Sequence, residues 1–155
     1  IYGPEGTFDG GREKAPAALC RKIIEAKNKN LKSIDVWGDG EQTRSFLYID
    51  DCVEATLKLF DSDKHGPINI GSEEKVSINE MIDKIEIISN KKIKRNYQLD
   101  KPKGVRGRSS DNNKIQKTFN WKPTTKLSDG LKITYKWIYN EILSGDNTKK
   151  FTRSY

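Results

Sequence analysis

One histidine and two cysteines are the side chains of this sequence best suited to nucleophilic catalysis or metal binding. His65 lies in the turn-like stretch Asp-Lys-His-Gly-Pro, with no second histidine and no cysteine cluster beside it. A zinc site and a histidine-based triad are disfavoured because both need several such side chains, so we expect no metal and a solvated His65. Cys20 and Cys52 are too few for a disulfide framework. They indicate helix packing and a reduced, cytosolic compartment.

Glycines at two places raise the question of a phosphate-binding loop. Gly10-Gly11 is followed by Arg-Glu-Lys and has no predicted strand before it, so it matches neither the dinucleotide nor the P-loop fingerprint. Gly38-Asp-Gly40 lies between two predicted strands, where a hairpin turn explains it. The motifs alone therefore predict no cofactor-binding half in this sequence.

Basic residues outnumber acidic ones, with 29 Lys+Arg against 22 Asp+Glu and a net charge of +7. This balance suits a polyanionic partner, whether nucleic acid, an anionic membrane or a phosphorylated small molecule. Most of the lysines fall in Lys/Asn-rich turns, where a solvated surface explains them. The loop Lys101–Arg108 is similar to an RNA-contacting segment, so a nucleic-acid-binding module is an alternative. Against it, four aromatic residues sit at positions typical of a core: Trp37, Trp121, Tyr135 and Trp137.

The length of 155 residues and the 34% hydrophobic content fit one compact domain. No apolar run approaches the ~20 residues that a bilayer requires, and no secretory leader is visible, so we expect no membrane partner. The sequence starts at Ile1, and its single methionine is Met81. We therefore expect it to begin inside a longer protein.

Apolar spacing predicts an α/β chain in which strands alternate with helices after a glycine-rich loop over residues 1–14. The predicted strands are Ile34–Trp37 and Arg44–Ile49, joined as a hairpin, Pro67–Ile70 and Ile93–Tyr97. The predicted helices are Pro16 to about Lys27, residues 51–62 capped by Asp50 or Asp51, a helix begun by a Ser77–Glu80 capping box, Ile115–Phe119, and a last helix capped by Ser128. Four of them have an apolar stripe at helical spacing. In chain order the stripes are Leu19, Cys20, Ile23 and Ile24; Val53, Leu57 and Phe60; Met81, Ile85 and Ile88; and Leu131, Tyr135, Ile138 and Ile142.

Short motifs follow one another in a fixed order along nearly the whole chain. They are Ile1-Tyr-Gly-Pro4, Trp37-Gly-Asp-Gly-x-Gln-x-Arg44-x-Phe46, Tyr48-Ile-Asp-Asp51, Asn69-Ile-Gly71, Trp121-x-Pro123 and Gly130-Leu131. In this order and spacing the chain resembles the C-terminal portion of the extended short-chain dehydrogenases/reductases that act on nucleotide-sugars. Residues 10–18, 38–46 and 104–113 are similar to the GDP-mannose 3,5-epimerases in particular. The chain departs from that pattern mainly in its Lys/Asn-rich stretches 25–33 and 89–101 and in its tail.

The resemblance implies that residues 1–143 form a substrate-binding lobe with the last edge elements of a Rossmann-like sheet, followed by a flexible tail, residues 144–155. The N-terminal cofactor half, with the NAD fingerprint and a Tyr-x-x-x-Lys pair, is absent from this sequence. The chain alone is therefore expected to be inactive, and the full-length enzyme to be a homodimer. Helix 51–62 and strand 67–70 would complete the cofactor domain's sheet, so we expect their apolar faces to be exposed and the isolated chain to be poorly stable.

The implied activity is that of an isomerase with NAD as cofactor and a GDP-sugar as substrate. Bound NAD oxidises the C4 hydroxyl of GDP-mannose transiently, acid and base groups exchange protons at C3 and C5, and the hydride returns, giving GDP-L-galactose. Another nucleotide-sugar epimerase or dehydratase is the alternative among enzymes. The stretches Arg12-Glu-Lys14 and Arg106-Gly-Arg108 argue against that alternative.

By the same resemblance, Lys14 is one catalytic acid/base group, and the other is a cysteine outside this sequence. Lys14 itself suits a general base, because the positive end of the helix after Pro16 and the nearby Arg12 both disfavour an ammonium ion. Arginines suit a pyrophosphate through their planar fork of donors. Each implied contact also has an alternative as an ordinary surface residue. The implied substrate-binding residues are Glu13, Lys14, Ala15, Lys22, Gln42, Thr43, Arg44 and Arg108.

Overall fold

The computed structural model describes residues 1–102 and 104–145. Helices and strands are interspersed along these ranges, which confirms the α/β class. In chain order they are α1 (Ala15–Asn28), β1 (Ser33–Trp37), β2 (Thr43–Ser45), α2 (Ile49–Phe60), β3 (Lys75–Ser77), α3 (Ile78–Ser89), β4 (Lys94–Gln98), α4 (Asn113–Phe119) and α5 (Leu127–Ser144). The tail predicted over residues 144–155 lies outside the described residues from residue 146 onward.

The four strands form two separate pairs, and the predicted hairpin is wrong. β1 pairs in parallel with β4, from Ser33 opposite Lys94 to Trp37 opposite Gln98. β2 pairs antiparallel with β3, with Thr43 opposite Ser77. A parallel partner must arrive through a long crossover, here the chain from β2 to α3, and local periodicity cannot show such a connection. β3 was missed, and the strand predicted over residues 44–49 is limited to Thr43–Ser45 because α2 already begins at Ile49.

Three helices and strand β1 share the main hydrophobic core. The apolar stripes predicted for α1, α3 and α5 face one another, and each includes fully buried side chains such as Ile23, Ile85 and Leu131. The predicted capping box is confirmed at the start of α3. The Glu80 N–H donates to Ser77 Oγ (3.0 Å), and the Ser77 N–H donates to Glu80 Oε2 (2.7 Å). In this part of the chain, the structure agrees with the helix start and the apolar faces that the sequence predicts.

A smaller apolar cluster lies under α2 and α4 and contains Leu47, Ala55, Ile115 and Trp121. The opposite side of α2, with Val53, Leu57 and Phe60, is exposed to solvent and is called the bare face below. Its predicted stripe of Val53, Leu57 and Phe60 is 48%, 55% and 82% exposed, which confirms the expected exposure. Ile68 and Ile70 pack against the smaller cluster, but residues 67–70 are not assigned to a strand, so the predicted strand is not formed among the described residues.

The helix caps predicted at Asp50 or Asp51 and at Ser128 are wrong, and Asp51 and the start of α5 bond to distant parts of the chain instead. Tyr48 is the N-cap of α2, and Asp51 lies inside the first turn. The Asp51 carboxylate accepts hydrogen bonds from the Thr124 N–H and hydroxyl (both 3.0 Å). Ser128 likewise does not cap α5. The Leu127 N–H at the start of α5 instead donates to Glu74 Oε2 (2.9 Å), a carboxylate more than 50 residues earlier.

The predicted single-residue environments are mostly confirmed. Cys20 is buried and Cys52 is half-buried against the smaller cluster, and both are free thiols. His65 is exposed, and Trp121 is buried, as expected. Trp37 is the exception, because its side chain is 55% exposed on the outer face of β1. Within the described ranges, no helix has both the length and the apolar character required to cross a bilayer.

Candidate functional site

Arg44 and Arg108 come from distant parts of the sequence and lie side by side. The loop after β4 runs parallel to β2, so that Gly107 stands opposite Thr43. The Thr43 N–H donates to Arg106 O (2.9 Å), and the Arg108 N–H donates to Thr43 O (3.2 Å). Residues in register on parallel segments point to the same side. The two arginines that follow this bridge therefore share one face.

Both arginines line a cavity of about 370 Å³. Arg44 Nη1 donates to Thr43 O (2.6 Å), and its Nη2 lies 3.2 Å from where a Cβ on Gly104 would stand, so the loop closes around this guanidinium. Arg108 is exposed. Two guanidinium groups on one cavity can hold an anion with two phosphates through charge-assisted, forked hydrogen bonds. The remaining lining residues are Ser45, Ile68, Asn69, Ile70, Gly71, Ser109 and Ser110.

Lys22 and Gln42 both bond to backbone carbonyls of β1, at its middle residue and at its last residue. Lys22 Nζ donates to Asp35 O (2.8 Å), and Gln42 Nε2 donates to Trp37 O (3.0 Å). Burial lowers the pKa of the Lys22 ammonium, and the neighbouring charge of Arg21 lowers it further. The Gln42 Oε1 atom is buried and has no hydrogen-bond partner among the described residues. The amide therefore has an unused acceptor beside the last residue of β1.

Arg21 shapes the loop before α1, and sequence reasoning missed it. Its guanidinium donates to Phe8 O (2.9 Å), to Glu13 Oε1 (3.3 Å) and to Glu25 Oε1 (3.1 Å). The Gly11 N–H donates to the other oxygen of Glu13 (2.7 Å). The predicted substrate contact Glu13 thus uses its carboxylate within the chain to hold the loop. The i, i+4 spacing of Arg21 and Glu25 is the signal that could have shown this network.

Lys14 and Ala15 form the amino end of α1. Lys14 occupies the N-cap position with an exposed side chain, and its carbonyl accepts the Ala18 N–H (3.0 Å). Pro16 lies in the first turn, as predicted. The helical rise places Lys14 and Lys22 about 12 Å apart along α1. The eight predicted residues therefore lie at three places: the amino end of α1, the end of β1, and the arginine cavity.

Neither glycine motif in the described residues fits a dinucleotide cofactor. The turn after β1 leads into β2 and not into a helix, and the space beside Gly40 is filled by the Asn79 amide. Gly10-Gly11 has no strand before it. Neither site offers the strand, glycine turn and helix that bind a pyrophosphate. Over the described ranges, no group of three or more His, Cys, Asp or Glu side chains is placed to hold a metal ion.

Comparison with known protein families assigns the chain. The family described as GDP-mannose 4,6 dehydratase matches residues 9–134, which include both arginines of the cavity and all other predicted site residues. The chain belongs to this family. It is 50% identical over 142 residues to the GDP-mannose 3,5-epimerase of Arabidopsis thaliana, a match that covers 92% of this chain and 36% of that protein. The predicted resemblance to GDP-mannose 3,5-epimerases is confirmed.

Less similar proteins carry the names of other nucleotide-sugar enzymes. The probable GDP-L-fucose synthase 1 of Oryza sativa subsp. japonica is 33% identical over 147 residues, covering 93% of this chain and 44% of that protein. Among solved structures, the UDP-glucuronic acid 4-epimerase of Bacillus cereus, in complex with UDP-glucuronic acid and NAD, has a TM-score of 0.72 at 32% identity over 90% of this chain and 42% of its own. The UDP-glucose 4-epimerase of Thermotoga maritima, with UDP-glucose, has a TM-score of 0.81 at 25% identity, covering 91% and 44%. The chain thus spans less than half the length of these proteins.

Proposed function

We propose that this chain supplies the substrate-binding side and one acid/base residue of an NAD-dependent isomerase that epimerises GDP-mannose at C3 and C5, forming GDP-L-galactose. The observation that carries the proposal is the pair Arg44 and Arg108 on one cavity, a site suited to a diphosphate. The 50% identity to a GDP-mannose 3,5-epimerase supports this substrate over other nucleotide-sugars.

The layout of the three places suits a long ligand. Lys14 and Lys22 are separated by about 12 Å along one helix. Lys22 Nζ is held at Asp35 O (2.8 Å), so an extended ligand suits the two lysines better than a small anion. A nucleotide-sugar can extend from the amino end of α1, where the sugar would lie, to the arginine cavity and the end of β1. We assign the diphosphate to Arg44 and Arg108, and we assign the substrate's other polar contacts to Lys22 and Gln42.

We assign proton transfer at the sugar ring to Lys14. Its side chain is exposed at the amino end of α1 and is free to approach C3 or C5 of a bound hexose. NAD, bound by residues outside this chain, supplies the reversible oxidation at C4 that makes the neighbouring C–H bonds acidic. A lysine Nζ at hydrogen-bond distance from such a carbon can then remove or return the proton.

The proposal also covers the compartment and the partners of the complete enzyme. The free thiols Cys20 and Cys52 support a reducing compartment, and we propose the cytosol. We propose a homodimer for the complete enzyme, by analogy with the family, and no nucleic-acid or membrane partner.

The test is hydrogen exchange into GDP-mannose by the complete enzyme in D2O. Lys14→Ala is expected to abolish deuterium incorporation at C3 and C5 while NAD stays bound, because only the proton carrier is removed. Lys132→Ala, which removes an exposed lysine from α5, is the matched control and is expected to retain exchange. Exchange at the wild-type rate in Lys14→Ala would refute the assigned role.

The cavity is tested by steady-state kinetics. Arg108→Ala is expected to raise KM for GDP-mannose about tenfold with a small change in kcat, since a phosphate contact is equally strong in ground and transition states. Lys101→Ala removes another exposed cation before the same loop and is expected to leave KM unchanged. An unchanged KM in Arg108→Ala would reject the diphosphate assignment.

A further inference from the structure

Asn79, in the first turn of α3, holds the turn that leads into the substrate-binding segment. Its backbone N–H donates to Gly40 O (3.0 Å). Its side-chain Nδ2 donates to Asp39 O (3.2 Å) and to Glu41 Oε1 (2.7 Å). One residue therefore makes three hydrogen bonds to three consecutive residues of the turn between β1 and β2. No local pattern marks it, because these partners lie about 40 residues earlier.

The other side of the same amide is fixed by β4. Asn79 Oδ1 accepts hydrogen bonds from Arg95 Nη1 (3.2 Å) and from the Tyr97 hydroxyl (3.0 Å). Arg95 is itself held by α3, where it also pairs with Asp83. A guanidinium can only donate, so the oxygen of Asn79 must face β4 and its NH2 must face the turn. The amide is thus a fully bonded bridge with a fixed direction.

The turn also packs directly on this amide. Gly40 has a φ of +78°, and a Cβ there would stand 2.5 Å from Asn79 Cγ. Glycine is required at this position both for the backbone conformation and for the space. The close approach shows that the side chain of Asn79, and not solvent, sets the position of the turn.

The turn continues without a break into Gln42, Thr43 and Arg44. β2 then pairs with β3, and the last residue of β3 is the N-cap of α3. The start of α3 therefore holds both the turn, through Asn79, and the strand that follows it. We infer that Asn79 is a positioning residue for substrate binding, which acts by fixing the approach of Gln42 and Arg44 to the ligand. This inference rests on the proposed function, which makes Gln42 and Arg44 substrate contacts.

The test replaces Asn79 by aspartate in the complete enzyme. Asp can still accept from Arg95 and Tyr97 and is favoured near a helix N-terminus, so α3 remains intact. It cannot donate to Asp39 O or Glu41, and it places a second carboxylate beside Glu41. We expect KM for GDP-mannose to rise about tenfold with kcat within about twofold, and amide hydrogen exchange of residues 38–45 to become faster without substrate.

A second substitution tests whether the effect runs through the turn. Glu41→Gln alone is expected to be nearly silent, because the Gln oxygen still accepts from Asn79. Combined with Asn79→Asp it provides an NH2 that can donate to the new carboxylate, so the double variant is expected to recover much of KM and of the exchange protection. Asn140→Asp, an exposed residue of α5, adds the same charge elsewhere and serves as control.

Each outcome decides the matter. Unchanged KM and unchanged exchange in Asn79→Asp overturn the inference, and so does a raised KM that Glu41→Gln does not reduce. If Asn79→Asp does not fold, Tyr97→Phe removes one bond to Oδ1, and faster exchange of residues 38–45 supports the inference while unaltered exchange overturns it. If the wild-type enzyme does not turn over GDP-mannose, the proposed function fails, and the exchange comparison still decides whether Asn79 holds the turn.

Discussion

The helices α1, α3 and α5 and the helix α2 have similar apolar stripes but very different surroundings. Ile82 on α3 and Leu131 on α5 are fully buried, because the three helices cover one another and pack with β1 in one core. Leu57 and Phe60 on α2 are mostly exposed. The spacing of apolar residues therefore identifies a face that needs a partner, but it does not tell whether the same chain provides that partner.

The attachment of α2 explains how it can stay folded with one bare face. Its inner side contributes Ala55 and half-buried Cys52 to the smaller cluster. The Asp51 carboxylate adds hydrogen bonds to the backbone of Thr124 (3.0 Å) and Thr125 (3.1 Å). Polar bonds thus carry a larger share of the attachment of α2 than of the main core. The predictions below test this contrast.

The largest effect is expected in the main core. Ile82→Ala removes a fully buried side chain between packed helices and is expected to lower the free energy of unfolding by about 3 kcal/mol. Leu57→Ala is the matched change on the bare face, and it is expected to cost less than about 0.5 kcal/mol in the isolated chain. Urea unfolding of both variants, in a buffer that contains a stabilising osmolyte, measures the two losses of unfolding free energy. Equal losses would show that the two faces are not as different as described.

A smaller effect is expected where α2 is attached by Asp51. Burial by itself raises the pKa of the Asp51 carboxyl, but hydrogen bonds from Thr124 and Thr125 outweigh burial and hold it below its usual value. Asp51→Asn replaces one carboxylate oxygen by an NH2 group. That group then faces another donor, either the Thr125 N–H or the N–H and hydroxyl of Thr124. We expect it to lower the free energy of unfolding by about 2 kcal/mol at pH 7, measured by urea unfolding.

The contribution of Asp51 to the free energy of unfolding depends on pH. Because the pKa is lower in the folded than in the unfolded chain, the stabilisation by Asp51 is complete above the unfolded value of about 4. It is lost as the pH falls below that value, since the unfolded chain then takes up a proton more readily. Asp51→Asn is therefore expected to flatten the loss of stability below about pH 4. An acid profile as steep as that of the unsubstituted chain would contradict the role of Asp51.

The capping of α3 is expected to contribute less again. Ser77→Ala removes the acceptor for the Glu80 N–H and is expected to lower the free energy of unfolding by about 1 kcal/mol. Ser128→Ala is the matched control at a serine that only the sequence suggested as a cap, and it is expected to have almost no effect. Differential scanning calorimetry of the two variants decides. A larger loss at Ser128 would mean that α5 does begin there.

Sequence reasoning worked where structure depends on neighbours in the chain. The capping box at Ser77, the stripe of α1 and the proline in its first turn are local features, and all were predicted correctly. The pairing of β1 with β4 and the Glu74 carboxylate at the start of α5 were missed because they join segments about 50 residues or more apart. Local spacing contains no information about such partners.

The candidate site shows the same division. The predicted residues near Arg44 and Arg108 were identified by resemblance, and the structure adds that the bridge at Thr43 brings the two arginines to one face. Asn79 was missed because nothing in its own helix distinguishes it from an exposed polar residue. Its role is visible only when β4 and the turn are both placed against it.

The smallest effect on stability, and the clearest test of the contrast, is expected on the bare face of α2. Leu57→Glu is expected to change the free energy of unfolding of the isolated chain by less than about 0.5 kcal/mol, because the side chain is already in water. It should nevertheless reduce binding of an apolar dye to the isolated chain by about half, because contiguous exposed apolar surface binds such dyes. Ile87→Glu alters a similarly exposed side chain on α3 outside this patch and is expected to leave dye binding unchanged. A cooperative melt of the isolated chain without any dye binding would show that the face of α2 needs no covering partner.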